Sequence, residues 1–133
     1  MADQRYRRNA GCVFTLKYHL VWCPKYRCKV LTDRVAEDLH DLLHQKAQAL
    51  EVEIEALEIM PDHVHMFVSA DPTDAPQRLA NQFKGFTSRA LRQRYPHLRS
   101  RLPTLWSRSD YVGSVGQVSE ETVKGYIEDQ KGR

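Results

Sequence analysis

Residues 13–22, VFTLKYHLVW, alternate strictly enough to dictate an extended segment with two unlike faces. Phe14, Leu16, Tyr18, Leu20 and Trp22 fall on one side; Lys17 and His19 fall on the other. Successive strand residues leave opposite faces, so this segment needs a sheet with one buried and one open surface. Residues 63–70, HVHMFVSA, repeat the pattern, with Val64, Met66 and Val68 opposed to His63 and His65. Between them, Asp33 is placed to cap a helix running to about Leu50, with Val35, Leu39, Leu42, Leu43 and Leu50 on its inner stripe. Residues 51–59, EVEIEALEI, begin as a strand and lose phase near Ala56 and Leu57, the mark of a bulge. Pro61 and Asp62 turn the chain into the next strand. A second helix is expected from about Ala75 to Tyr95, with Leu79, Phe83, Phe86 and Ala90 inward and the arginines largely outward. Pro96 and Pro103 bound an irregular basic stretch that contains Trp106, and residues 110–115 make a short fourth strand. Ser119 caps a last helix, with Glu120 and Glu121 in the first turn, where they complement the helix dipole.

This order predicts an α+β fold: a ferredoxin-like (RRM-like) βαββαβ sandwich with an extra C-terminal helix. Two helices cover one face of such a sheet and leave the other free, and RNA-recognition modules use that free face for nucleic acid. The 133 residues suit one domain, 1–133, with no repeat or linker to divide it. No apolar run reaches the ~18 residues of a membrane span. The first residues, MADQRYRRNAGC, lack an apolar signal segment, so a cytoplasmic protein is expected. Cys12, Cys23 and Cys28 are an odd set without a second Cys pair, which argues for free thiols and against a zinc knuckle.

The formal net charge of +3 hides an uneven distribution. Residues 78–108 hold eight basic side chains and no acid: Arg78, Lys84, Arg89, Arg92, Arg94, Arg99, Arg101 and Arg108. Residues 1–34 hold eight basic and two acidic ones. Seven of the eight charges in the later block are arginines, whose planar fork suits phosphate. A solvated helix face is the alternative for each block.

His63 and His65 lie two apart on a strand, so both leave the same open face, about 7 Å apart along it. Two imidazoles alone make a weak metal site, and a bare His-x-His is usually incidental. In the last helix Tyr126 and Gln130 are four apart and share a face. Gln130 offers an oxygen ligand, and Tyr126 a phenol able to attack phosphorus, although a packing aromatic is the simpler account of Tyr126 taken alone. A free phenol, with a pKa near ~10, is a poor nucleophile at neutral pH unless a metal polarises its target. Two imidazoles and an amide oxygen leave open positions for phosphate oxygens, which suits Mg²⁺ or Mn²⁺.

Taken together, these segments resemble the single-tyrosine HUH transposases of small insertion sequences, the TnpA type of the IS200-like family. The resemblance spans nearly the whole chain. It lies in Tyr18-His19-Leu20-Val21-Trp22 with Pro24-Lys25-Tyr26-Arg27, in Met60-Pro61-Asp62-His63-Val64-His65, and in Lys84-Gly85. It continues through Leu105-Trp106, Val112-Gly113-Ser114-Val115 and Ser119-Glu120-Glu121-Thr122 to Tyr126-Ile127-Glu128-Asp129-Gln130. The resemblance implies that His63, His65 and Gln130 bind a divalent metal ion and that Tyr126 is the nucleophile. It implies a single-strand DNA transposase that cleaves and rejoins element ends through a 5′-phosphotyrosine, on substrates with hairpins. It further implies a homodimer in which Tyr126 of one subunit serves the histidines of the other, and Gly113 and Gly116 ahead of the helix would permit that. Alternatives are a domesticated relative acting on genomic repeat hairpins and a non-catalytic nucleic-acid-binding ferredoxin-like module.

Lys17, His19, Lys25, Arg27, Arg78, Lys84, Arg89 and Arg92 are the candidate DNA contacts. His19 faces the same side as Lys17, beside the histidine pair, where it either meets DNA or supports a ligand. Asp62 is placed to orient a histidine or simply to make the turn. Tyr26, Tyr95 and Trp106 are candidates to stack on unpaired bases, with a core role for Trp106 equally open. His40 and His44 have helical metal spacing but no accompanying acid, and are expected on a solvated face.

Overall fold

A computed structural model describes residues 7–9, 12–14, 16–114 and 120–130, without the side chains of 7–9, 12–14 and 120–124. The first alternating segment divides between two sheets. β1 (Arg7–Asn9) pairs antiparallel with β2 (Cys12–Phe14), and β3 (Leu16–Trp22) begins a separate sheet. Leu16, expected inward, is 40% exposed at the outer end of β3, whereas Leu20 and Trp22 are fully buried.

A single turn at Lys25–Arg27 leads to α1 (Asp33–Leu50). The cap position falls on Thr32, not Asp33, and no side chain bonds into it. β4 (Glu53–Met60) and β5 (His63–Ala70) form a hairpin, with the register shift between Ile54 and Ala56, where the phase slip predicted a bulge. α2 (Pro76–Arg94) gives way at Tyr95 to α3 (Pro96–Arg101), a helix where an irregular stretch was expected. Pro96 starts α3 rather than only ending α2, because a proline's fixed φ suits a first helical turn. β6 (Tyr111–Ser114) and α4 (Glu120–Asp129) complete the chain. The predicted cap Ser119 and the glycine at 116 lie outside the described residues.

The four-stranded antiparallel sheet has the order β4-β5-β3-β6, which is the ferredoxin-like topology. β3 and β5 occupy the centre, so their side chains have neighbours on both sides. The apolar stripes of α1 and α2 pack on one face. There Leu20, Trp22, Val64, Met66 and Val68 meet Leu39, Leu43, Leu79, Phe83 and Leu91, all within one buried cluster. Trp22 stacks near Phe83 with ring centroids 6.5 Å apart and meets Trp106 edge-on at 5.9 Å. Trp106 is therefore a core anchor: it is 5% exposed, and its Nε1 donates to Thr87 Oγ1 at 3.1 Å. Emptying one of these three aromatic sites should cost roughly 3–5 kcal/mol.

Candidate active site

Ladder register determines what stands on the open face. Lys17, His19 and Val21 of β3 lie opposite Ser69, Phe67 and His65 of β5, so all six share a side. On the outer strands, Glu58 and Met60 pair with His65 and His63, while Tyr111 and Gly113 pair with Val21 and His19. One transverse row therefore runs Glu58, His65, Val21, Tyr111. Strand spacing puts the two ends of the His65–Tyr111 stretch about 10 Å apart. Val21 is fully buried although it stands on this face. The row ends at Tyr111, whose ring centroid is 6.2 Å from that of Tyr126 on α4. The last helix thus docks over the β6 side of the face, on its own sheet.

His63 is oriented by its neighbour. Asp62, in the hairpin turn, accepts from His63 Nδ1 at 2.9 Å. An imidazole that donates from Nδ1 leaves Nε2 with a free lone pair. The second oxygen of Asp62 lies 3.1 Å from Arg27 Nε. His65 Nε2 sits 3.0 Å from His19 Nδ1, and its Nδ1 is 4.0 Å from Glu58 Oε1. Burial lowers the pKa of both His65 and His19; in His65 the neighbouring His19 lowers it further, and Glu58 works the other way. Both rings are thus held neutral, the form that can ligate a metal. Among the described residues, no three or more His, Cys, Asp or Glu side chains form a ready metal cage. The imidazole set is His63 and His65, with His19 against the latter.

Tyr126 and Gln130 are held by a segment that carried no sequence signal. Tyr126 Oη donates to the Ser109 carbonyl at 2.9 Å. Gln130 is 2% exposed, and its Oε1 accepts from Ser109 Oγ at 2.7 Å and Ser107 Oγ at 3.1 Å. Burial pushes the Tyr126 phenol well above its ordinary range; the Ser109 contact opposes this, and Cys23 and Asp110 add to it. In this docked state the phenol keeps its proton.

Several candidate DNA contacts are committed within the chain. Lys84 Nζ lies 3.2 Å from Asp110 Oδ2 and also donates to the Arg108 and Ser109 carbonyls, so it holds the segment that holds Tyr126. Arg92 donates to the Pro103 and Leu102 carbonyls at 3.3 Å each. Arg27 turns inward to Asp62 and α4. Arg78 and Arg89 are exposed on α2, and Lys17 is exposed with Nζ 6.0 Å from the Phe67 ring. Lys25 Nζ lies 5.3 Å over the ring of Tyr26, which is itself 48% exposed. Tyr95 is tied to α1 by a 2.6 Å bond to Asp38. His40 and His44 are exposed on α1 with their rings adjacent. No described helix is long and apolar enough to cross a membrane.

Known proteins share this arrangement of sequence and fold. The family described as "Transposase IS200 like" matches residues 12–130. The ISDra2 transposase TnpA of Deinococcus radiodurans is 36% identical over 126 residues, covering 93% of this chain and 90% of that protein. The transposase for insertion sequence element IS200 of Salmonella typhimurium is 27% identical, over 86% of this chain and 76% of its own length. A crystal structure of a Deinococcus radiodurans R1 protein, provisionally described as a transposase, superposes with a TM-score of 0.86. It is 36% identical and covers 93% of this chain and 97% of that one. A REP-associated tyrosine transposase bound to a REP hairpin shares the fold at a TM-score of 0.57 and 15% identity, over 92% of this chain and 67% of that one.

Proposed function

Because the chain belongs to the IS200-like transposase family, we propose that it cleaves and rejoins single-stranded DNA at insertion-sequence ends, with Tyr126 as nucleophile. Tyr126 Oη attacks a phosphodiester in line, forming a 5′-phosphotyrosine and releasing a 3′-hydroxyl. A second 3′-hydroxyl then attacks that linkage and frees the phenol. Phosphodiester number is conserved, so the sequence needs no nucleotide hydrolysis.

His63 and His65 suit a divalent ion, Mg²⁺ or Mn²⁺: burial favours the neutral ring of His65, and His63 turns Nε2 away from Asp62 by donating from Nδ1 to it. Gln130 is the third proposed donor; its oxygen now accepts from two serines and must release one of them to serve. When bound, such an ion supplies Lewis acidity at the scissile phosphate. The chain's own residues do the rest. Asp62 sets the His63 ring, and Ser109 holds the phenol until substrate displaces it. The observation that supports this proposal is that His63 and His65 stand on one face of the sheet and that the row from His65 ends at Tyr111, whose ring centroid lies 6.2 Å from that of Tyr126.

DNA with hairpins at the element ends is the proposed substrate, and the hairpin carried by the REP-associated fold neighbour accords with it. The proposed working form is a homodimer in which α4 serves the partner's histidines. The test is denaturing electrophoresis of labelled single-stranded hairpin DNA incubated with protein and Mg²⁺. Wild type should give a protein-linked strand and a shortened strand. Tyr126→Phe should bind the hairpin and give neither. Cleavage by the Phe variant at the wild-type rate would remove Tyr126 from the chemistry.

A further inference from the structure

We propose that Arg27 is a positioning residue that ties the orientation of His63 to the docking of the helix that carries Tyr126. The roles of His63 and Tyr126 rest on the function proposed above; the linkage itself rests on contacts. Arg27 Nε lies 3.1 Å from Asp62 Oδ2, and the other oxygen of Asp62 takes the His63 Nδ1 proton at 2.9 Å. Arg27 Nη1 donates to the Ile127 carbonyl at 3.2 Å and lies 3.3 Å from Glu128 Oε2. One guanidinium thus spans from the metal-site histidine's partner to the residues next to the nucleophile, 100 positions away in sequence.

Three further observations mark this as a built contact. The Arg27 side chain is only 14% exposed and Asp62 only 17%, so their ion pair is shielded from solvent. The backbone is in the left-handed region at two successive non-glycine residues, with φ 60° at Tyr26 and 53° at Arg27. Such angles disfavour side chains and persist only where surroundings hold them. Here the turn is pinned by Arg27 N donating to Pro24 O and Lys25 N donating to Leu105 O, both at 2.8 Å. Finally, the Ile127 carbonyl also accepts from the Gln130 N–H at 3.2 Å, so Arg27 braces the turn that carries Gln130.

The fork explains why the residue is arginine. Its planar group presents separate nitrogens to Asp62 and to α4 at once, whereas lysine has a single nitrogen. If α4 lifts away, Nη1 loses the Ile127 carbonyl and Glu128. Arg27 can then swing, and Asp62 loses the partner that keeps its carboxylate aligned on His63. The linkage is reciprocal: loosening Asp62 must loosen α4.

That reciprocity gives a test in metal-free protein without DNA, using amide hydrogen exchange of residues 126–130 in EDTA. Among the described residues, Asp62 is joined to α4 through Arg27. Asp62→Asn should therefore speed exchange in α4 by about threefold or more, the lower end of couplings within one ion-pair network. Arg27→Ala should do the same, and adding Asp62→Asn to it should produce no further change. Arg27→Lys keeps the charge but should behave like Arg27→Ala in this cycle. Protection of Val64, Met66 and Val68 in β5 reports whether each variant keeps its core; if Arg27→Ala loses it, Asp62→Asn and Arg27→Lys form the cycle. The ring nitrogen shifts of His63 should also change in Arg27→Lys. Wild-type α4 exchange in Asp62→Asn, or independent additive effects of the two substitutions, overturns the linkage. Neither result depends on whether the protein cleaves DNA, so this inference and the catalytic proposal fail separately.

Discussion

His19 Nδ1 lies 3.0 Å from His65 Nε2, although the two residues are 46 positions apart. They are diagonal neighbours across the β3–β5 ladder, where His19 faces Phe67 and Val21 faces His65. A distance near 3 Å is also the edge between adjacent ligands of an octahedral ion with ligands about 2.1 Å away. The pair is therefore within hydrogen-bond distance, and under the proposed metal site the same spacing would suit two adjacent ligands.

For the metal site, His63→Ala and His65→Ala should each abolish cleavage while leaving the far-ultraviolet spectrum unchanged, because both side chains leave the open face. EDTA should reproduce the loss, and Mg²⁺ or Mn²⁺ should restore the wild type. His19→Ala should weaken Mn²⁺ binding by roughly tenfold or more, as expected when a ligand's neighbour is lost. Titration calorimetry measures that affinity, and full cleavage in excess EDTA would refute the metal requirement.

Among the basic residues, the structure separates two behaviours. Arg78→Ala and Arg89→Ala should weaken hairpin binding across sequences and lower the salt slope by about one unit or less, without changing stability. Lys84→Ala should instead destabilise the fold by up to roughly 3 kcal/mol, because it takes the cation from an Asp110 side chain that is only 5% exposed and leaves it the Gln77 amide as donor. Filter binding across a salt series and urea denaturation measure the two effects. Unchanged affinity and slope in both arginine variants would return α2 to an ordinary solvated face.

The subunit arrangement is testable by mixing. Tyr126→Phe and His63→Ala chains should each be inactive alone. If α4 serves the partner subunit, their heterodimer contains one intact site and regains cleavage. If α4 works only where it docks here, beside its own Tyr111, both sites stay broken. Verified heterodimers without cleavage would exclude the exchanged arrangement for the cutting step.

Stability should fall at alkaline pH through Cys23. Burial pushes its thiol from 9.0 up to about 12, with Asp62 adding to the shift and Arg27 and Lys84 opposing it. Below pH 9 the folded and unfolded chains both hold the proton, and stability is insensitive to this group. Above pH 9 only the unfolded chain loses it, so stability should decline by up to about 1.4 kcal/mol per pH unit until the folded pKa is reached. The raised Tyr126 phenol acts in the same direction above pH 10. Urea denaturation at pH 8 and 10 should show the decline, and Cys23→Ala should flatten it. An unchanged slope in that variant would discount the thiol.

Much of this molecule is legible in its sequence. Alternation in β3 and β5 identifies the core side as Leu20, Trp22, Val64, Met66 and Val68, because pleat geometry is local and its period is two. The same rule sends His19, His63 and His65 to the opposite face. The slip near Ala56 announces the bulge. Helical spacing places Leu39, Leu43, Leu79 and Phe83 inward. Periodicity says which way a side chain points, but not what it meets. Lys84, Arg92 and Arg27 look alike as exposed cations in a basic block, yet each is spent on a partner set by a chain crossover: Asp110, the carbonyls at 102–103, and Asp62 with α4. Ser107 and Ser109 carry no motif and gain meaning only where they meet Gln130 and Tyr126. Sequence patterns therefore determined the sheet, its two faces and the side on which the histidines stand. Tertiary packing alone decided where the tyrosine helix docks and which charges remain exposed, because those contacts join residues that local backbone geometry never brings together.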